Sequence, residues 1–217
     1  MGVPIVYRKS AEQALASYDF IDIASGTGSV IYYLGTGSST NKIIKPILAS
    51  ETFYSHNIMS GASWTPGTDV KAVDIDWDIQ FNLPQVIRGS AIFNIPLAHF
   101  TDATDTTIFS VVKVRKWDGI NETTLATITG TNFIATNNGV STTLQTLAGD
   151  IPLTAFKRGE FLRITTEVYG TTISGTTQES YVGCDPNGRI SGANDVRAFA
   201  SGDISVGTAI IPFRIDL

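Results

Sequence analysis

Residues 73–81 read Val73-Asp74-Ile75-Asp76-Trp77-Asp78-Ile79-Gln80-Phe81. Apolar side chains alternate with three aspartates and a glutamine, the period of two that a pleated strand converts into one dry face and one wet face. Wound as a helix, the same residues would scatter their apolar groups around the whole circumference. The stretch is therefore a strand, with Val73, Ile75, Trp77, Ile79 and Phe81 toward a core and the acids toward water.

The same period extends in both directions. Pro84 breaks the run, and residues 86–95 resume it with Ile87, Ala91, Phe93 and Ile95 on one parity. Residues 106–117 and 122–129 flank Asp118-Gly119-Ile120-Asn121, where the glycine supplies the positive φ a hairpin loop needs. Upstream, residues 20–23 and 30–34 are short apolar strands joined by residues 24–28, and a Gly/Ser-rich stretch over 35–41 leads to a strand over 43–48. Downstream, strands are expected near 132–136, 140–147, 160–169, 177–183, 196–200 and 208–215, with turns at Asn138-Gly139 and Asn187-Gly188. Ser10-Ala11-Glu12-Gln13-Ala14-Leu15-Ala16-Ser17 alone reads as helix, with Ser10 as N-cap and Gln13 closing a capping box.

Composition agrees. Thr, Ile and Val number 27, 25 and 14, against 31 for Leu, Lys, Glu, Gln and Met together. β-Branched side chains lose rotamer freedom in a helix and pack well on a pleated surface. Without helices between strands there are no parallel βαβ units, and no 20–50-residue repeat marks a propeller or solenoid. The expected fold is all-β, an antiparallel two-sheet sandwich of jelly-roll type. Residues 1–18 form an N-terminal arm with the short helix, and residues 19–217 form a single sandwich domain.

The net charge of −5 and the 15 basic residues leave no electrostatic footprint for nucleic acid. The sequence lacks an apolar run long enough to span a bilayer, and its start lacks the basic-then-apolar pattern of a signal peptide.

Groups capable of chemistry are few. Any Ser-His or Cys-His dyad must use His56 or His99, and neither lies in a nucleophile motif. Cys184, in Val182-Gly183-Cys184-Asp185, has no cation nearby in sequence to lower its pKa and reads as a small residue closing a strand. Gly26-x-Gly28 and Gly35-x-Gly37 lack the lysine and the following helix of a phosphate cradle and read as turns. Asp74, Asp76 and Asp78 sit about 7 Å apart along one strand face, too far to converge on Ca²⁺, so they read as a solvated acidic face. Trp77 belongs to the core stripe. Trp64 and Trp117 are candidates for stacking on a sugar, and Trp64, in a loop, either meets a partner or pins the loop to the body. Asn121-Glu122-Thr123 matches a glycosylation sequon on a hairpin tip. No catalytic, metal or cofactor-binding residue is assigned, and no cofactor is expected.

The C-terminal part adds a resemblance. Residues 151–164 run from an apolar stretch through Lys157-Arg158-Gly159 into a strand, followed by Cys184-Asp185-Pro186-Asn187-Gly188-Arg189 and a closing strand, Ile211-Pro212-Phe213-Arg214-Ile215-Asp216-Leu217. Over residues 150–217 this resembles small β-sandwich virion proteins of tailed bacteriophages, such as capsid decoration proteins. The resemblance implies a non-enzymatic structural subunit located in the virion. Its partners would be copies of itself, commonly in a trimer, and other capsid proteins. The long spine helix of the main tailed-phage shell fold is missing. From a different class, a carbohydrate-binding or adhesive module using Trp64 and Trp117 is the alternative, and a β-sandwich hydrolase with a histidine dyad or paired acids is a third.

Overall fold

Alternation over residues 73–81 builds a strand whose apolar side must be covered, and a second layer of strands covers it. A computed structural model describes residues 16–17, 27–36, 41–44, 58–60, 65–102, 105–136, 139–172, 178–184 and 206–214. Its strands are numbered in chain order. One layer is organised on β6 (Gln85–Thr101), which pairs along one edge with β10 (Gly139–Phe156) and along the other with β12 (Gln178–Gly183) and β13 (Gly207–Arg214) in succession. From β13 the layer continues to β2 (Thr27–Thr36), which also holds β1 (Ala16–Ser17) and β3 (Asn41–Ile44); β4 (Ile58–Ser60) lies on β12. The other layer runs from β5 (Gly67–Gln80) through β11 (Phe161–Thr172) to β7 (Thr106–Trp117), with β8 (Glu122–Thr129) and β9 (Phe133–Ala135) on the far edge of β7. All these pairings are antiparallel. A single parallel bridge, Lys42 to Asp78, joins the layers through β3 and β5.

The protein is an all-β, two-sheet antiparallel sandwich, with no helix among the described residues. Trp77, Ile164, Leu162 and Val112 from one layer meet Phe93, Ile95, Leu34 and Ile211 from the other, all completely buried. Each such side chain contributes about 1.5–3 kcal/mol of burial. At one end of the core the rings of Tyr32, Phe213, Phe81 and Phe156 meet edge to face in sequence, with centroids 5.1–6.3 Å apart.

Several expectations need correction. Ala16 and Ser17 are extended and pair with Val30 and Ser29, so the C-terminal end of the expected helix is strand; β2 offers a free edge, and pairing there satisfies backbone groups that two helical turns leave open. Gly28 and Gly35 are strand residues of β2, not turn residues, because β2 pairs beyond its apolar centre, Gly28 with Phe213 and Gly35 with Lys42. β6 runs on to Thr101, and β10 continues through Pro152, with its irregularity between Ile151 and Thr154. Proline is tolerated at such a bulge because no ladder donor is needed there. Opposite lies Gly89 at φ +120°, where β13 also shifts register between Ile210 and Phe213. Gly119 and Gly159 carry positive φ in the two turns where the sequence calls for it. The strands expected at 20–23 and 196–200, residues 45–48, the turn at 187–188 and the arm before residue 16 lie outside the described residues.

Candidate functional site

Three arrangements bring polar or reactive groups together. The first is inside the fold, at the end of the core opposite the phenylalanines. His99 follows Ile95 and Leu97 on the inward parity of β6, and Gln178 and Ser180 precede Val182 on the inward parity of β12. His99 Nδ1 lies 3.0 Å from Ser180 Oγ, and His99 Nε2 lies 3.0 Å from Gln178 Oε1. Gln178 Oε1 also accepts from Thr106 Oγ1 at 3.0 Å, and its amide nitrogen donates to Thr101 Oγ1 at 3.1 Å. Because Gln178 Oε1 can only accept, this network assigns the ring proton to Nε2 and leaves Nδ1 to accept the Ser180 hydroxyl proton. Burial pushes His99 down to about 4, against smaller upward pulls from the Gln178 bond and from Glu179.

That is the spacing of a nucleophile and its base, yet all five side chains have no exposed surface. The group orienting the ring is an amide rather than a carboxylate, which cannot stabilise an imidazolium by charge. A second inward amide, Gln145, accepts from the Ser110 backbone N–H (3.0 Å) and hydroxyl (2.6 Å) and donates to the Thr131 carbonyl (2.7 Å). It bonds β10 of one layer to β7 of the other, closing the sandwich edge with a side chain.

The second arrangement is the outer face of the β5–β11–β7–β8 layer. Register places Asp78, Arg163 and Arg115 in one row and Asp76, Thr165 and Lys113 in the next. Arg163 grips Asp78 with Nε and Nη2, both at 2.7 Å, and reaches Glu122 at 3.1 Å with Nη1. Arg115 binds the other Glu122 oxygen at 2.9 Å. Hydrogen bonds to Asp78 are the chief reason the Arg163 guanidinium is held even more firmly protonated than usual. Further along, the Glu167 side chain is 3% exposed beneath Lys113 (2.8 Å) and Lys71 (3.4 Å). Burial works to raise its carboxyl, but Lys113, Tyr169 and Lys71 together outweigh that and hold it below the usual range. Lys71 also pairs with Asp74. Aromatic pairs close both ends: Trp117 on Phe161, with Arg163 4.6 Å above the Trp117 ring, and Phe109 stacked on Tyr169 at 5.4 Å.

Asp76 and Asp78 are thus ion-paired across the sheet, and Asp74 with Lys71 along its own strand, rather than simply solvated. No cluster of three or more metal-binding side chains occurs among the described residues.

The third arrangement is the outer face of the β2–β13–β6–β10 layer. Ile31 pairs with Ile210, Ile210 with Ile92 and Ile92 with Ala148, giving an apolar row across four strands. Ile31 and Ile92 are 43% and 37% exposed, and Leu144, on the same face of β10, is 39% exposed. The adjacent row, Tyr33, Thr208, Asn94 and Thr146, is uncharged; Asn94 donates to Thr208 at 3.0 Å and accepts from Thr146 at 2.8 Å. Of the charged residues on this face, Arg214 and Glu179 lie toward strand ends and Arg88 near the start of β6, whereas Asp150, exposed on the edge strand β10 opposite Ser90, stands one row from the isoleucines.

Trp77 is fully buried, and Cys184 is buried just beyond β12. Trp117 has one ring face covered by Arg163. Asn121 is exposed, and its backbone N–H and amide nitrogen both donate to the Asp118 carboxylate. His56, Trp64, Gly26 and Gly37 lie outside the described residues. Reading the sequence misses the His99 network, because the strand over 86–95 is ended too early. The signal is there: Leu97, His99 and Thr101 continue the parity of Ile95. Lys113, Arg115 and Arg163 alternate with Val112, Val114 and Ile164 in the same manner, which marks a basic face ready to meet the aspartates.

No protein-family model matches the chain, and no curated protein matches it. Solved structures with a similar strand arrangement include viral capsid proteins, hydrolases and an aminopeptidase. The aminopeptidase, from a marine sediment Thaumarchaeota archaeon, gives a TM-score of 0.46 at 10% identity, over 86% of this chain and 37% of that one. A CocE/NonD family hydrolase from Staphylococcus aureus gives 0.40 at 14% identity, over 88% and 35%. The VP2 subviral particle of infectious bursal disease virus gives 0.35 at 11% identity, over 88% and 38%. The chain therefore spans little more than a third of each of these proteins.

Proposed function

We propose that the chain is a structural virion protein of a bacteriophage, a self-associating β-sandwich subunit that decorates, stabilises or forms part of the capsid. One observation carries this reading. The described groups best suited to covalent or acid–base chemistry, His99, Ser180 and Cys184, are sealed inside the fold, whereas a broad outer face offers uncharged and apolar side chains to water. A protein whose reactive groups serve its own packing, and one of whose outer faces presents uncharged and apolar rows, is suited to building shape, so no catalysis is proposed. Its partners are copies of itself and other capsid proteins, and its place is the virion.

Electron microscopy and light scattering of the purified chain across a concentration series test this. Defined oligomers or shells are expected; a strictly monomeric species at every concentration, without affinity for phage capsids, would overturn it. A glycan array separates the carbohydrate-binding alternative, which requires saturable binding where a capsid subunit has none.

A further inference from the structure

We infer that the isoleucine row on the outer face of β2, β13, β6 and β10 is a contact between two copies of this chain, packed sheet face against sheet face. The inference rests on the self-associating reading above and names the surface it would use. Ile31, Ile210, Ile92 and Ala148 are linked by register into one line perpendicular to the strands. Strand neighbours lie about 4.8 Å apart and residues rise about 3.3 Å, so the four strands, which run together where β13 pairs with residues 87–94 of β6, cover roughly 19 by 23 Å, or on the order of 440 Å² in flat projection. That is about half of the roughly 800 Å² per partner that a standard interface buries, the size of a weak, concentration-dependent contact.

Charge selects the occupant. The chain carries a net charge of −5, so two copies repel wherever charged surfaces approach. The isoleucine row and the neighbouring Tyr33-Thr208-Asn94-Thr146 row hold no charged side chain, and the nearest charge, Asp150, stands at the side of the patch on β10, so the rows themselves can be buried without taking an unpaired ion out of water. On the opposite side of the sandwich, Arg163, Glu167 and their partners already satisfy one another, and a second copy there would have to break or desolvate those pairs. A straight row is also self-complementary: turned about a two-fold axis along its own direction, it lies on its copy, isoleucine over isoleucine, as an isologous interface requires. Inner sheet faces of this same sandwich pack in that manner, with side chains interdigitating across about 10 Å.

Sedimentation of the full chain tests this, using the wild type, Ile92→Lys, Ile210→Lys and, as a control on the other face, Lys71→Ala. Ile92 and Ile210 are partly exposed, so a lysine at either site can reach water without entering the core, and unchanged thermal melting of the variants confirms that they fold. The expected result is concentration-dependent association of wild type and Lys71→Ala, weakened at least 100-fold in either lysine variant. If wild type and lysine variants associate equally, the assignment of this face is overturned while self-association stands. A wild type that stays monomeric overturns both. Maleimide labelling of Ile92→Cys then reports what occupies the face: an unreactive thiol means it is covered by other segments of this chain, and a reactive one that it is reserved for a different partner.

Discussion

The two outer faces of the sandwich differ in how their side chains are satisfied. On the β5–β11–β7–β8 face, aspartates, glutamates, lysines and arginines neutralise each other along the cross-strand register, and aromatic pairs cap the rows. On the β2–β13–β6–β10 face, partly exposed isoleucines line up beside a row of threonine, asparagine and tyrosine. Both faces arise from strict alternation opposite the same core. What distinguishes them among the described residues is whether the side chains brought together by register complete one another: those of the first face do, whereas Ile31 and Ile92 on the second keep part of their surface in water.

The comparison breaks most severely when charge is moved onto the apolar face. A double Ile92→Lys, Ile210→Lys variant is expected to lose association beyond detection, read by light scattering, with a folding free energy within about 1 kcal/mol of wild type because both positions are partly exposed. Acid comes next, since it separates the interior from both faces. His99 is held at about 4 when folded and returns to about 6.5 on unfolding, so the unfolded chain takes up the proton first. Stability is therefore fully present above pH 6.5 and declines as the pH falls from 6.5 to 4, by up to about 3 kcal/mol. Urea denaturation across that window should show the decline, and His99→Gln should flatten it. The charged face responds lower: Glu167 has a depressed pKa, so its contribution is lost only as the pH drops below the ordinary glutamate range.

Removing the organising cation sharpens the contrast. Arg163→Ala strands Asp76, Asp78 and Glu122 beside one another and uncovers Trp117, and should cost about 1–3 kcal/mol in denaturant melts while leaving association unchanged. Smallest is Lys71→Ala. Its closest partner, Asp74, is about half exposed, and loss of that pair should cost about 0.5 kcal/mol or less.

Much of the sandwich was legible in residues 73–81, where alternation is unbroken, and in 86–95 and 160–169, where the inward parity stays largely apolar, with Gly119 and Gly159 at positive φ in the turns. The isoleucine row was not. Ile31, Ile92 and Ile210 are 61 and 118 residues apart in sequence, and they meet only because β13 inserts between β2 and β6, a pairing that no local pattern encodes. The His99 cluster was hidden differently. Polar residues at inward positions break the apolar alternation and imitate the end of a strand, although β6 and β12 continue through them. Asp74, Asp76 and Asp78 were seen as a face, but Arg163, the basic partner of Asp76 and Asp78, lies on a strand 85 or more residues away.

Salt tests the account most directly. Between about 0.05 and 1 M NaCl the Debye length shrinks from well over 10 Å to about 3 Å, which weakens contacts made by charge and relieves repulsion between like-charged copies. Sedimentation equilibrium of the unaltered chain over that range should give an association constant that holds or rises, as an uncharged isoleucine face between two acidic molecules requires. A fall of tenfold or more would mean that the copies meet through charges, and would contradict the assignment of the apolar face as their contact.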